Sequence, residues 1–399
     1  MLDEKPLVSI ILPVYNTEDY LKESLDALVN QTLENIQIIC IDDASTDNCL
    51  EILEQYAKND NRFTILKNSK SQGPSICRNM GLELATGEYI TFYDSDDKID
   101  LDAYEKLYDF SKKHNQDVVV YNAIRFNDEG RESPSILHSK SMPDKVIIKT
   151  NIFEYTDLVY DTTSWNKFIK AEFFKKHNFR LAENRVYQDI LFSMQVFCAT
   201  DSIGLYPDVK YHWRRRSGEI KSITQTAFNV KNINDRIFIV KNTIDVIKSQ
   251  KNHENLLKAF YIKLIEIDVL KFMNEMDRGN DEFKQIMFDQ VRPFVLSLPE
   301  DVFKTIEVKD KVKYDLFKDG HMDSLESVSE NQRLVKLKNK EKREKNRMLK
   351  MKIKDLNSVI DEKDEEIEEL KSEIKDLTED LNYLKTNAGW VKYKLRKLK

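Results

Sequence analysis

Five short apolar runs constrain the fold more than any other feature of this chain. They are "LVSIIL" (Leu7–Leu12), "IQIICI" (Ile36–Ile41), "RFTIL" (Arg62–Leu66), "EYITFY" (Glu88–Tyr93) and "DVVVYN" (Asp117–Asn122). They are near-continuously hydrophobic, and stretches of helical period separate them. Strands of this kind are buried on both faces, so the expectation is an α/β fold whose mostly parallel sheet is flanked by helices. The intervening helices carry their own start signals. Thr17 stands as an N-cap before Glu18 and Asp19, and Ser45 or Thr46 can cap a helix bearing Leu50, Leu53 and Tyr56. "GPSICRNMGLELATG" (Gly73–Gly87) reads as a helix with Pro74 near its start and Gly87 past its end.

In such sheets ligands bind beyond the carboxyl ends of the strands. Polar clusters fall there: "PVYN" after the first run, "DDAS" after the second and "DSDD" after the fourth. Acids crowded at a strand end repel one another unless a hard cation or a shared proton joins them. Asp94, Asp96 and Asp97 have no His or Cys close by in sequence, which disfavours zinc and favours Mn²⁺ or Mg²⁺. A D-x-D spacing puts two carboxylates on one side of an extended backbone. Standing alone, it reads equally as an exposed acidic loop.

Beyond the fifth run the pattern is mixed to about Thr224. It then turns helical, with one stripe of Ile233, Ile237, Val240, Ile244 and Ile247 and another of Leu256, Phe260, Leu264, Ile267 and Leu270. Both stripes read as core. Farther on, Ile353, Ile360, Ile367, Ile374 and Leu381 recur every seven residues, interleaved with Leu349, Leu356, Leu370, Leu377 and Leu384. Ile at a and Leu at d favour a parallel two-stranded coil, and Asn346 at an a position and Lys363 at a d position can fix its register. The alternative is a single solvated helix held by its charge pairs. The final "GWVKYKLRKLK" joins five cations to Trp390, Val391, Tyr393, Leu395 and Leu398. It suits either an anionic membrane surface or a solvated coil end.

Composition narrows the class. A length of 399 residues suits two or three domains, and a charged fraction of 33% calls for a long solvated segment. A net charge of −6 is too mild for nucleic acid to be the main partner. Cys40, Cys49, Cys77 and Cys198 form no CxxC pair and read as buried thiols of a reducing compartment. The first residues do not read as a signal peptide, and no run approaches the roughly 18 apolar residues of a transmembrane helix. The expected location is cytoplasmic, with any membrane contact peripheral and at the inner face.

Taken together, "VSIILPVYNTEDYLKESLDALVNQT", "IICIDDASTDN", "GPSICRNMGLELATGEYITFYDSDD" and, more loosely, "YQDILF" and "YHWRRRSGEIKSIT" resemble the family 2 glycosyltransferases, which are inverting enzymes of the GT-A fold. The resemblance covers roughly residues 7 to 225. It implies a GT-A domain over residues 1–225, with a nucleotide-sugar half over 1–115 and an acceptor half over 116–225. A helical extension over 226–330, a coiled coil over 331–388 and a basic amphipathic tail over 389–399 would follow.

By that resemblance, Pro13, Tyr15 and Asn16 lie against the base and ribose of the nucleotide. Asp43 hydrogen-bonds a uracil-type base, and Arg78 is a basic group near the nucleotide. Asp94 and Asp96 are the D-x-D metal ligands, Asp97 orients the donor sugar or the ligands, and His212 is a further candidate ligand. Asp189 matches the aspartate of a Glu-Asp pair that serves as general base, with Gln188 where the family usually has Glu. Each has a plainer reading: Asp43 as a turn acid, Asp189 as a helix-surface acid, Trp165 as core, and Arg214, Arg215 and Arg216 as a solvated face or a diphosphate clamp.

The implied reaction moves a sugar from a nucleotide-diphosphate donor, expected to be a UDP-sugar, to a hydroxyl of a glycan, polymer or lipid-linked acceptor in surface-polysaccharide assembly. A homodimer would form through the coil. Alternatively, the domain is an inactive scaffold working through that coil. A dehydrogenase or P-loop NTPase would need G-x-G-x-x-G or GK[ST] after the first strand, and neither is present.

Overall fold

The apolar runs form strands, and their ends explain where the polar clusters sit. The computed structural model describes residues 5–216 and 229–397, the side chains of Leu384, Asn387 and Tyr393 excepted. Residues 217–224 of the downstream motif, and Leu398 and Lys399 of the tail, lie outside the described residues. The order begins β1 (Val8–Val14), α1 (Glu18–Val29), β2 (Ile36–Asp42), α2 (Cys49–Asn59), β3 (Phe63–Lys67), α3 (Pro74–Leu84) and β4 (Tyr89–Phe92). It continues with β5 (Lys98–Ile99), α4 (Ala103–His114), β6 (Val118–Asn127), β7 (Glu132–Pro134), α5 (Ile136–Ser141) and β8 (Ile147–Thr150). Then come β9 (Lys167–Lys170), α6 (Ala171–His177), α7 (Gln188–Cys198), β10 (Ile203–Arg215), α8 (Val230–Lys248) and α9 (Glu254–Lys263).

The sheet runs β3-β2-β1-β4-β9-β6-β10-β5. Its long ladders are parallel: β1 pairs with β2 and β4, β2 with β3, and β6 with β10. The reversal comes from β9, which enters antiparallel between β4 and β6. Its "KFIK" is too short and too charged at its ends to announce itself as a strand. β1 and β2 are buried along nearly their whole length, and burial of each Val, Ile or Leu contributes about 1.5–3 kcal/mol. α3 packs so closely over β1 that a Cβ at Gly81 would collide with the Ile11 side chain.

Two local expectations shift. The second helix starts at Cys49, not at Ser45 or Thr46. Thr46 donates its backbone N–H to Asn16 Oδ1 at 2.8 Å, while Asp47 Oδ1 accepts the Cys49 N–H at 3.1 Å. The polar residues before it therefore tie the β2 loop to the β1 loop. The second apolar stripe loses its period after Leu264, because a π-helical turn occupies Leu264–Val269. Wider turns carry Ile265, Asp268 and Val269 inward and leave Ile267 and Leu270 only partly buried.

The chain divides into two compact units, Met1–Ser329 and Glu330–Lys399. In the first, Ile239, Ile244, Ile247, Leu256, Phe260 and Leu264 belong to the same apolar core as the sheet. A second cluster, with Phe272, Met287, Tyr314 and Phe317, completes the extension. The second unit lies within a helix spanning Met322–Lys397. Its heptad residues are exposed, Ile353 by 50%, Ile360 by 55% and Leu377 by 62%. Among the described residues, no helix is long and apolar enough to cross a membrane.

Candidate active site

Four loops meet at the carboxyl edge of β1, β2, β3 and β4. The chain leaves β1 through Pro13, turns at Asn16 in a left-handed conformation (φ 49°), and exposes Tyr15 by 48%. Asn16 is anchored by its neighbour loop: its N–H meets Ser45 Oγ at 3.2 Å and its Oδ1 accepts from Thr46.

Asp43, buried just after β2, is saturated. Its Oδ1 accepts from Asn68 Nδ2 at 2.7 Å and the Gln72 N–H at 2.9 Å. Its Oδ2 accepts from Ser71 Oγ at 2.8 Å and the Gly73 N–H at 2.8 Å. Gly73 sits at φ 88°, a left-handed conformation that glycine adopts without steric cost, and it opens α3. Burial by itself would raise the Asp43 carboxyl. The bonds from Asn68, Gln72, Gly73 and Ser71 outweigh it and hold the group below the usual carboxylate range. Asp43 therefore organises the 68–73 loop, which adds a structural task to the base-recognition role implied by resemblance.

The acids after β4 are in the opposite condition. Asp94 Oδ1 meets Arg78 Nη2 at 2.5 Å, and Asp96 Oδ2 meets Arg216 Nε at 2.7 Å. Asp97 Oδ1 accepts the Arg214 N–H at 2.6 Å, while its Oδ2 is buried without a partner. Burial, followed by repulsion from Asp96 and Asp94, pushes the Asp97 carboxyl well up. Burial also raises Asp96, against the pull of Arg216. Among the described residues, no group of three or more His, Cys, Asp or Glu side chains is arranged to enclose an ion.

His212 does not join this group. Its Nε2 lies 2.8 Å from Asp100 Oδ1 and its Nδ1 3.5 Å from Glu132 Oε1. The Asp100 contact engages Nε2, and the ring braces β10 against its neighbours. The arginines beside it divide. Arg214 is buried against Glu23, Asp128 and the Tyr20 ring, Arg216 reaches Asp96, and Arg215 is exposed. Trp165 is core: it stacks on Tyr211 with centroids 4.1 Å apart.

Asp189 stands in the first turn of α7, where a carboxylate is favoured by the helix dipole. It is partly buried, and desolvation raises its carboxyl against the opposing charges of Arg78, Arg236 and Lys167. Arg78 thus links two regions far apart in sequence, because it pairs with Asp94 and is also the foremost charge acting on Asp189. Its Nε is buried and unpartnered. The sequence did not reveal the residues around Tyr187 that support α7, since their partners lie on α8.

The geometry has counterparts in known proteins. The model of Glycosyl transferase family 2 matches residues 9–178. The glycosyltransferase GlyG of Streptococcus pneumoniae is 31% identical over 230 residues, which are 56% of this chain and 75% of that protein. A poly(ribitol-phosphate) beta-glucosyltransferase of Bacillus spizizenii is 35% identical over 221 residues, 54% of this chain. This chain spans only 33% of that relative's length. Among solved structures, S. aureus TarS 1-349 in complex with UDP-GlcNAc superposes with a TM-score of 0.64 at 21% identity, covering 82% of this chain and 91% of that one. That likeness extends the shared architecture past β10 into the helical extension. On the matched motifs, the fold and the share of GlyG covered, the chain belongs to glycosyltransferase family 2 and has the GT-A fold.

Proposed function

We propose that the chain transfers a sugar from a nucleotide diphosphate, with UDP-sugars as the donor class, to an acceptor hydroxyl with inversion at the anomeric carbon. The carrying observation is Arg78, a buried arginine that pairs with the strand-end acid Asp94 and whose charge also acts on Asp189. The strand-end acids and the candidate base thus lie under the influence of one guanidinium. The nucleotide-bound TarS structures support the donor class, and the poly(ribitol-phosphate) relative supports a surface polymer or its lipid-linked precursor as acceptor.

The residues after β4 fit a Mn²⁺ or Mg²⁺ ion. They offer hard oxygen donors without thiol or imidazole, and Asp97 Oδ2 is a buried oxygen lacking a partner. Asp94 and Asp96 would hold the ion, beside the arginines that pair with them. When bound, such an ion neutralises the charge that develops on a departing diphosphate.

The chain's own groups do the rest. Asp189 takes the acceptor hydroxyl proton, and burial brings its carboxyl closer to the working pH, where a base is most effective. The charge of Arg78 opposes that rise. One base on the face opposite the leaving group gives inversion.

The helix Met322–Lys397 supplies a homodimer seam along its exposed Ile and Leu stripe. Its end, where Lys394 lies 4.1 Å over Trp390 beside exposed Val391 and Leu395, suits an anionic membrane surface. Sedimentation of the full chain should give a dimer that an Ile360→Asp/Ile367→Asp double variant splits into monomers.

The direct test is product formation from a panel of nucleotide sugars. Asp189→Asn should cut turnover about 10²–10⁴-fold while still binding the donor. Undiminished turnover in that variant would refute the assignment. A wild type inert toward every donor would favour the scaffold alternative.

A further inference from the structure

The extension does more than complete the core, because α8 grips the loop that delivers Asp189. Tyr187, directly before Gln188 and Asp189, has φ 66°, and Asn184 has φ 58°. A bulky aromatic rarely adopts a left-handed conformation, so this backbone persists only where surrounding contacts determine it.

Those contacts come from α8. Asp235 Oδ1 accepts from Arg185 Nη1 at 2.8 Å, and its Oδ2 accepts the Val186 N–H at 3.1 Å and Lys231 Nζ at 2.7 Å. The Lys231 ammonium also reaches the Asn184 carbonyl at 3.4 Å. The Arg236 guanidinium lies 3.6 Å above the Tyr187 ring and is fixed from behind by Asp268 Oδ1 at 2.8 Å. Asp268 in turn accepts from Lys263 Nζ at 2.7 Å. Arg185 covers the Phe238 ring at 4.4 Å. On the other flank, Asn79, the neighbour of Arg78 on α3, exchanges two 3.0 Å bonds with the Leu181 backbone.

We infer that Asp235 and Arg236 are positioning residues for the reaction. They hold the 184–187 loop, and with it Asp189, at the distance from Arg78 and the strand-end acids that proton abstraction requires. The bonds join segments far apart in sequence and the residues are buried, Asp235 to 2% and Arg236 to 8% exposure, so the clamp is built and not incidental. The inference rests on Asp189 being the base. The turn of π-helix at Leu264–Val269 has a role in it: the wider turn brings Asp268 inward, where it can brace Arg236.

The test uses the full chain and two readouts. Arg236→Gln should lower kcat at least tenfold, leave the donor KM within twofold, and raise amide exchange over residues 184–190. The acid limb of kcat should also move to higher pH, because one of the charges acting on Asp189 is gone. The groups left facing Asp189 are Arg78 from α3, Lys167 from β9, Lys263 from α9 and Tyr187 from its own loop. Arg236→Lys, which keeps the charge, should restore the limb and most of kcat.

Should Arg236→Gln fail to fold, Phe238→Ala loosens the same clamp from the exposed side and should lower kcat two- to fivefold with raised exchange. Folded variants with unchanged kcat and exchange would overturn the inference, as would a rise in KM alone. If the wild type shows no transfer at all, the functional reading fails separately. Exchange then decides the clamp alone, and unchanged exchange in Arg236→Gln overturns it.

Discussion

Asp43 directly follows β2 and Asp97 lies between β4 and β5 of the same sheet, and the fold treats them in opposite ways. Asp43 receives donors on both oxygens and is held below the usual carboxylate range. Asp97 receives one backbone N–H, keeps a buried oxygen without a partner, and is pushed well up by burial and by Asp96 and Asp94. The first site is complete within the chain. The second is an arrangement that folding alone does not favour, which is the usual condition of a place kept for a ligand. An acidic strand end is therefore not a functional signal until its partners are counted.

The sharpest way to break this contrast is to remove Asp43. Asp43→Ala strands the Gln72 and Gly73 N–H groups and should cost about 2–4 kcal/mol, read by urea unfolding. A loss under about 0.5 kcal/mol would show that the 68–73 loop stands without it. The pH dependence has a definite sign. Because the folded carboxyl is depressed, its contribution is present above the ordinary carboxylate pKa and disappears as the pH falls through the depressed folded value. Wild type and variant should converge in acid.

The opposite outcome is expected at the other strand end. Asp97→Asn keeps an oxygen for the Arg214 N–H and removes the repelling charge, so it should stabilise the chain by about 1 kcal/mol while weakening donor binding. The Asp97 contribution should fall as the pH rises from the ordinary carboxylate range toward its raised folded value, so the stability difference between wild type and variant should widen over that range. Destabilisation by Asp97→Asn would erase the contrast. The smallest effect belongs to Asp60, at the other end of β3, whose pair with Arg62 is partly solvated. Asp60→Asn should change stability by only a few tenths of a kcal/mol.

Much of this was legible in the sequence where chemistry and period are local. The apolar runs gave their strands because doubly buried strands cannot alternate, and "DDAS" and "DSDD" marked the ligand edge because strands end there. The sequence was silent where partners are distant. Arg185 meets Asp235 from fifty positions away, and neither lies in a recognisable motif. β9 is four residues long and reverses the sheet without a signature. The π-turn shifts a stripe that reads as regular α-helix. His212 was a candidate ligand by resemblance alone, and only the structure shows its Nε2 on Asp100.

The contrast between a finished and an unfinished acid is tested most directly by titrating UDP into the full chain with and without Mn²⁺, in wild type and Asp96→Asn. Mn²⁺ should tighten UDP binding at least tenfold in wild type and leave the variant's affinity unchanged. Equal UDP affinity with and without Mn²⁺ in wild type, or an undiminished Mn²⁺ effect in Asp96→Asn, would contradict it.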